Sequence, residues 1–318
     1  MSDATAAGAA VARQPVNWPR LAQRYGVYAA VLVLLLFNAA FTDNFMQPSN
    51  LRTQLVQVAP VLIVALGMAL VIGAKGVDLS VGSVMALAAA VLPLYLGFGF
   101  WPAVLMALLA GVGTGLVNGA LVAFVGLQPI VATLALLVAG RGIALVFADG
   151  QLKQIRNPEL LGLGEPTVVI AVAAVLALVI GLLVRRTTYG RQLVAIGGNQ
   201  AAAGLAGLPV KRVLLVTYVL CGLLAALAGV LATARLTASD PSSIGNLMEL
   251  SAITAVVVGG TPLTGGRIRV LGTVAGALLI QLVRATLIKH DLPDSTAQMV
   301  QAAIILVAVY LARESRAR

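Results

Sequence analysis

The chain has 318 residues, 60% of them hydrophobic and only 10% charged, with a formal net charge of +10. That balance excludes a soluble globular domain and leaves a single polytopic helical membrane protein embedded in a lipid bilayer. So high a charge raises the question of nucleic acid, but the basic residues sit at the ends of apolar runs, where membrane topology accounts for them and no nucleic-acid partner is expected.

Residues 1–25 are polar and rich in alanine, with Arg13, Arg20 and Arg24 ahead of the first apolar run. They read as a partly disordered cytoplasmic tail leading into an uncleaved first span, because no small-x-small cleavage site follows. A bilayer core of about 30 Å needs roughly 20 apolar residues per helix. On that template about ten spans are expected, near 26–41, 55–73, 81–97, 102–125, 129–148, 167–184, 213–234, 247–260, 270–288 and 295–312. The transmembrane domain is thus 26–312, with a short cytoplasmic tail at 313–318. The runs 81–97 and 247–260 are short enough to be broken or tilted.

Placing both termini in the cytoplasm puts Lys75, Arg185, Arg186, Arg191, Lys211, Arg212, Arg267, Arg269 and the terminal arginines on the inside. Only Arg52, Lys153, Arg156, Arg235 and Lys289 then fall outside, as the positive-inside bias requires. Gly111, Gly115 and Gly119 recur every fourth residue, so they share one helix face and admit a close neighbour, either within the subunit or between subunits; Gly272 and Gly276 repeat the spacing.

Three segments interrupt the apolar pattern. Residues 73–83 carry three glycines, with Asp78 or Ser80 placed to cap the helix that follows. The segment reads either as a broken helix at membrane depth or as a tight cytoplasmic turn. Residues 259–269 hold a similar cluster, including Gly260 and Thr264, and read as a second place of broken or short helices. The third, 185–212, has five basic side chains and no acid, and it reads as a partly helical cytoplasmic docking element. No G-x-x-x-x-G-K-[ST] pattern occurs, so no P-loop nucleotide site is expected in this chain. Cys221 and His290, each alone of its type, leave no disulfide, metal site or catalytic triad. Arg141 and Arg284 lie within apolar runs, the first structural or facing a pathway, the second snorkelling. No acid lies deep in a span apart from Glu249 near an edge, which disfavours a proton-driven carrier.

Four stretches together resemble the permease subunits of bacterial ABC importers of the ribose/xylose/arabinose class. They are GVDLSVGSVMAL (76–87), AGRGIALVFADGQ (139–151), GRQLVAIGGNQAAAGLAGLPVKRV (190–213) and ELSAITAVVVGGTPLTGGRIRVLGTVAGALL (249–279). Lys75, Pro262 and Arg267-Ile-Arg269 depart from the usual residues at the two breaks. The resemblance implies an inner-membrane subunit that pairs with a second permease and receives a monosaccharide from a periplasmic binding protein. It also implies a separate cytoplasmic ATP-binding subunit that holds ATP and Mg, this chain binding no cofactor. In that picture Gly190, Arg191, Ala195, Gly197, Gly198, Asn199, Ala202 and Gly207 dock the ATPase. Asp78, Ser80, Asn118, Gln128, Gly260 and Thr264 are expected to shape the path. A branched-chain amino acid permease and an ion-coupled secondary carrier are the alternatives.

Overall fold

The computed structural model describes residues 18–314 and is built almost wholly of helix. The apolar runs become α1 (Trp18–Phe41), α2 (Pro48–Gly73), α3 (Val81–Tyr95), α4 (Phe100–Ala120) and α5 (Pro129–Phe147). There follow α6 (Pro158–Leu163), α7 (Pro166–Arg186), α8 (Thr188–Gly198), α9 (Gln200–Leu205), α10 (Val210–Leu236), α11 (Met248–Val258), α12 (Val270–Lys289) and α13 (Asp294–Glu314). Among the described residues, seven helical segments are long and apolar enough to cross a membrane. The first helix begins at Trp18, within the segment expected to be a tail; the rest of that expectation, residues 1–17, and residues 315–318 lie outside the described residues.

Proline sets several helix starts. Pro48, Pro129, Pro158 and Pro166 open their helices, where a missing N–H costs nothing. The residue before each is extended, with ψ between 119 and 138° at Gln47, Gln128, Asn157 and Glu165, as the proline ring demands. A two-stranded ribbon, β1 (Lys153–Gln154) with β2 (Ala238–Ser239), was not expected from the sequence; it pairs the loops after α5 and α10.

α2 is the axis of the bundle, with 83% of its apolar window buried, against 22% for α4 and α5 and 17% for α7. Those three turn leucine, valine and phenylalanine outward, as helices facing lipid or a partner do. The four-residue glycine stripe packs inside the subunit. A Cβ on Gly111 would lie 2.5 Å from the Gly222 carbonyl, and one on Gly115 would lie 2.5 Å from that of Tyr218, so α4 and α10 touch backbone to backbone. Gly276 does the same against Ala255 on α11.

α10 serves as a depth ruler. Its 27 residues span about 40 Å at 1.5 Å per residue. One end adjoins the basic segment 185–212, called the basic end below. Asp78 sits beside Cys221, eleven residues up from Val210, hence about 16 Å into the bundle. Residues 74–80 therefore climb from the basic end into the middle, and α3 starts there. The reading of 73–83 as a cytoplasmic turn is overturned in favour of a break at depth.

The second break at depth is not the 259–269 segment, which is a turn at the basic end. It is 237–247, which descends from the opposite end to the start of α11. α3 and α11, with 15 and 11 residues, are partial helices whose first turns meet: a Cβ on Gly82 would lie 2.5 Å from Glu249 Oε2. Contact with Met85 is made by Gly229, about 10 Å below the far end of α10, and Gly82 lies almost one turn deeper on α3, which places the meeting point about 15 Å down. Asp78 and Glu249 are thus acids at depth; the sequence reading left Asp78 between a break at depth and a cytoplasmic turn, and put Glu249 at a span edge. Burial inside protein is what makes such non-helical backbone tolerable.

Candidate functional site

The basic segment folds into an elbow of two helices. Thr187 caps α8, its hydroxyl accepting from the Gly190 amide at 3.2 Å and donating to the Leu183 carbonyl at 2.6 Å. α8 buries Gly190, Leu193, Ile196 and Gly197 on one face and turns Arg191, Ala195 and Gly198 outward. Tyr189 ties this helix to α10 through a 2.8 Å hydrogen bond between its hydroxyl and Thr217 Oγ1; burial pushes its phenol up to about 12. Asn199 makes the corner, its Oδ1 accepting from the Ala202 amide at 3.0 Å to cap α9. Ala202, Gly204 and Gly207 are exposed beyond it, and Leu205 is 93% exposed at the tip.

The buried face of α8 rests on the turns at both ends of the half-buried segments. Gly197 touches the Gly73 carbonyl at the end of α2, and a Cβ there would lie 2.7 Å from the Gly266 amide. That amide itself donates to the Gly73 carbonyl at 3.0 Å. A Cβ on Gly265 would fall 2.8 Å from the Gly197 carbonyl and 2.9 Å from Lys75. Gly265 and Gly266 both have positive φ, 75° and 76°, which lets the turn press its backbone into this corner. Thr261 Oγ1 closes the turn by accepting from the Arg269 amide at 2.9 Å. The three glycine-bearing segments that stood apart in the sequence therefore converge on one junction: the foot of α2 and its rising segment, the α11–α12 turn, and the elbow.

The residues expected along a path divide into three places. Asp78, Ser80 and Asn118 come together, all nearly inaccessible. Asp78 Oδ1 accepts from the Ser80 amide at 2.9 Å and its hydroxyl at 2.6 Å, and Asn118 Nδ2 donates to Ser80 Oγ at 2.8 Å. Ser80 occupies the cap position of α3, but its side chain makes no cap bond; it serves the carboxylate instead. Gly260 and Thr264 belong to the α11–α12 turn, Thr264 exposed. Gln128 stands alone and exposed at the start of α5. Missed by the sequence reading were Gly73, Tyr189, Thr217 and Ile268, the last packed where a Gly73 side chain would go. Gly73 had a signal, since it opens the first glycine cluster.

Residues 50–309 match the family described as "Branched-chain amino acid transport system / permease component". The chain is 39% identical over 283 residues to the fructose import permease protein FruF of Bifidobacterium longum, covering 81% of this chain and 79% of that one. It is 38% identical to the galactofuranose transporter permease protein YtfT of Escherichia coli, covering 92% and 89%. Against the ribose import permease protein RbsC of Escherichia coli it is 37% identical, covering 88% and 90%. No solved structure matches. With the all-helical bundle, its two breaks at depth and an elbow of two short helices at one end, these matches establish that the chain belongs to the family of multi-pass ABC-importer permease subunits.

Proposed function

We propose that this chain carries a monosaccharide across the bacterial inner membrane by alternating access, paired with a second permease subunit. A periplasmic binding protein delivers the sugar. ATP and Mg are held by a cytoplasmic subunit docked on the elbow, and this chain binds neither. The observation that carries the reading is the junction at Gly197, where the proposed motor-facing helix shares backbone contacts with the foot of α2 and the α11–α12 turn. A displacement of α8 cannot leave either segment in place, because close-packed backbone transmits strain rather than absorbing it.

The sugar assignment rests on the sugars that the relatives are named for. The branched-chain amino acid description of the family is the weaker alternative, since the relatives described above are named for sugars. An ion-coupled carrier would have no use for an exposed docking elbow.

Leu205 offers the direct test. Burying an exposed leucine in a partner is worth about 1.5–3 kcal/mol, so Leu205→Glu is expected to weaken ATPase copurification about tenfold or more. The permease itself should insert normally, because the side chain touches little within the subunit. Full copurification and sugar-stimulated hydrolysis with Leu205→Glu would refute the docking assignment.

A further inference from the structure

The loop before α11 presents polar groups where a lipid-facing surface cannot. Residues 237–247 descend about 15 Å from the far end of α10 before α11 begins. At the bottom of this descent Asn246 is exposed, and its side chain has no partner among the described residues. Leu247 follows in the left-handed region, with φ 55°, and Ser242 and Ser243 are exposed above it around Asp240. Non-helical backbone and an unpaired amide at such depth are stable only against protein or water.

Two charged side chains converge on the same place from different helices. Arg141 of α5 donates through Nη1 to the Pro241 carbonyl at 2.6 Å and the Ile244 carbonyl at 2.8 Å, holding the loop down. The remainder of its guanidinium has no partner among the described residues. Glu249, in the first turn of α11, is half-buried and lies near enough to feel the arginine's charge; its Oε2 is buried in this conformation and accepts no hydrogen bond. Carboxylate, guanidinium and amide together supply the acceptors and fork-shaped donors that adjacent hydroxyl groups match.

We propose that Arg141, Asn246 and Glu249, gathered where the first turns of α3 and α11 meet, line the water-filled path at mid-membrane depth and contact the hydroxyl groups of the passing substrate. The proposal rests on the importer reading above. It differs from the path expected in the sequence, because Asp78, Ser80 and Asn118 lie behind this surface as its buried support.

Thiol labelling tests the wet surface without reference to any sugar. Cys221 is 1% exposed and leaves the unaltered chain a silent background. In the reconstituted full transporter, Asn246→Cys is expected to react with a charged, membrane-impermeant methanethiosulfonate in the nucleotide-free or the ATP-trapped state. Its rate should exceed that of Leu32→Cys, on the outward face of α1, by about tenfold or more, since the reagent needs water at the site. A rate equal to the Leu32→Cys control in both states overturns the proposal.

The hydroxyl contact is read by uptake of D-ribose, D-fructose and L-arabinose. Glu249→Gln and Arg141→Lys should each raise half-saturation by about tenfold for whichever sugar is moved, the loss expected of a charged hydrogen-bond partner. Unchanged half-saturation in both variants overturns the contact. An unaltered transporter that moves none of these sugars, yet labels at Asn246→Cys, would instead sink the sugar reading and leave the wet path standing.

Discussion

Replacing Gly197 by valine is expected to cut ATP-driven uptake at least about tenfold while the ATPase still copurifies. The added side chain would overlap the Gly73 carbonyl and crowd the Gly266 amide, so the hydrogen bond between those two cannot persist. Overpacking of this kind costs about 1–3 kcal/mol, which as a coupling energy corresponds to roughly 5–150-fold. The surface offered to a motor is left intact, because Arg191, Ala195, Asn199 and Leu205 all point away from the junction. Gly198→Ala is the matched control: a Cβ there meets nothing within 4 Å, so the junction and the thermal stability of the subunit should be unchanged. Uptake by Gly197→Val within about twofold of the unaltered protein would show that α8 and the two segments move independently.

Much of the helical plan was legible because each run announces its own ends. Pro129 and Pro166 lie at the starts expected for their runs, whereas α2 begins at Pro48, a turn or two before the run expected near 55–73. The glycine stripe on α4 was legible as a packing face, and its partner proved to be α10 of the same subunit. Depth was not legible. The fifteen residues of α3 have the composition of a complete span, and nothing local says that Val81 lies in the middle of the bundle rather than at its edge. That position is fixed by Asn118 and Cys221, whose partners are set by tertiary packing. Glu249 misled for the same reason. It opens an apolar run, as interfacial acids do, but the loop before it plunges instead of running along the surface.

The elbow lay between these extremes. Its basic residues and its glycines were visible in order, and the partly helical character expected of it takes the form of α8 and α9. The contact of Gly197 with Gly73 was invisible, since it joins residues more than a hundred positions apart. Each glycine cluster looked like a separate interruption of the apolar pattern; only the fold shows that the clusters also pack against each other.

Asp78→Ala is expected to be the most destabilising single change at the start of α3. The carboxylate receives the Ser80 amide and hydroxyl, and Ser80 Oγ in turn receives Asn118 Nδ2, all buried beyond the reach of bulk water. Removing the acceptor strands two donors, at about 1–3 kcal/mol each, and leaves the cavity of the lost carboxyl group besides. A multi-pass subunit should then show reduced accumulation and a melting temperature lowered by several degrees in detergent. Asp78→Asn keeps one acceptor oxygen in the same volume and should retain a substantial part of both. The order of the two variants is the informative result. If Asp78→Ala were as stable as Asp78→Asn, the network would not be what anchors the rising segment 74–80. If both were stable but neither supported uptake, Asp78 would act in transport itself rather than as the buried support for α3.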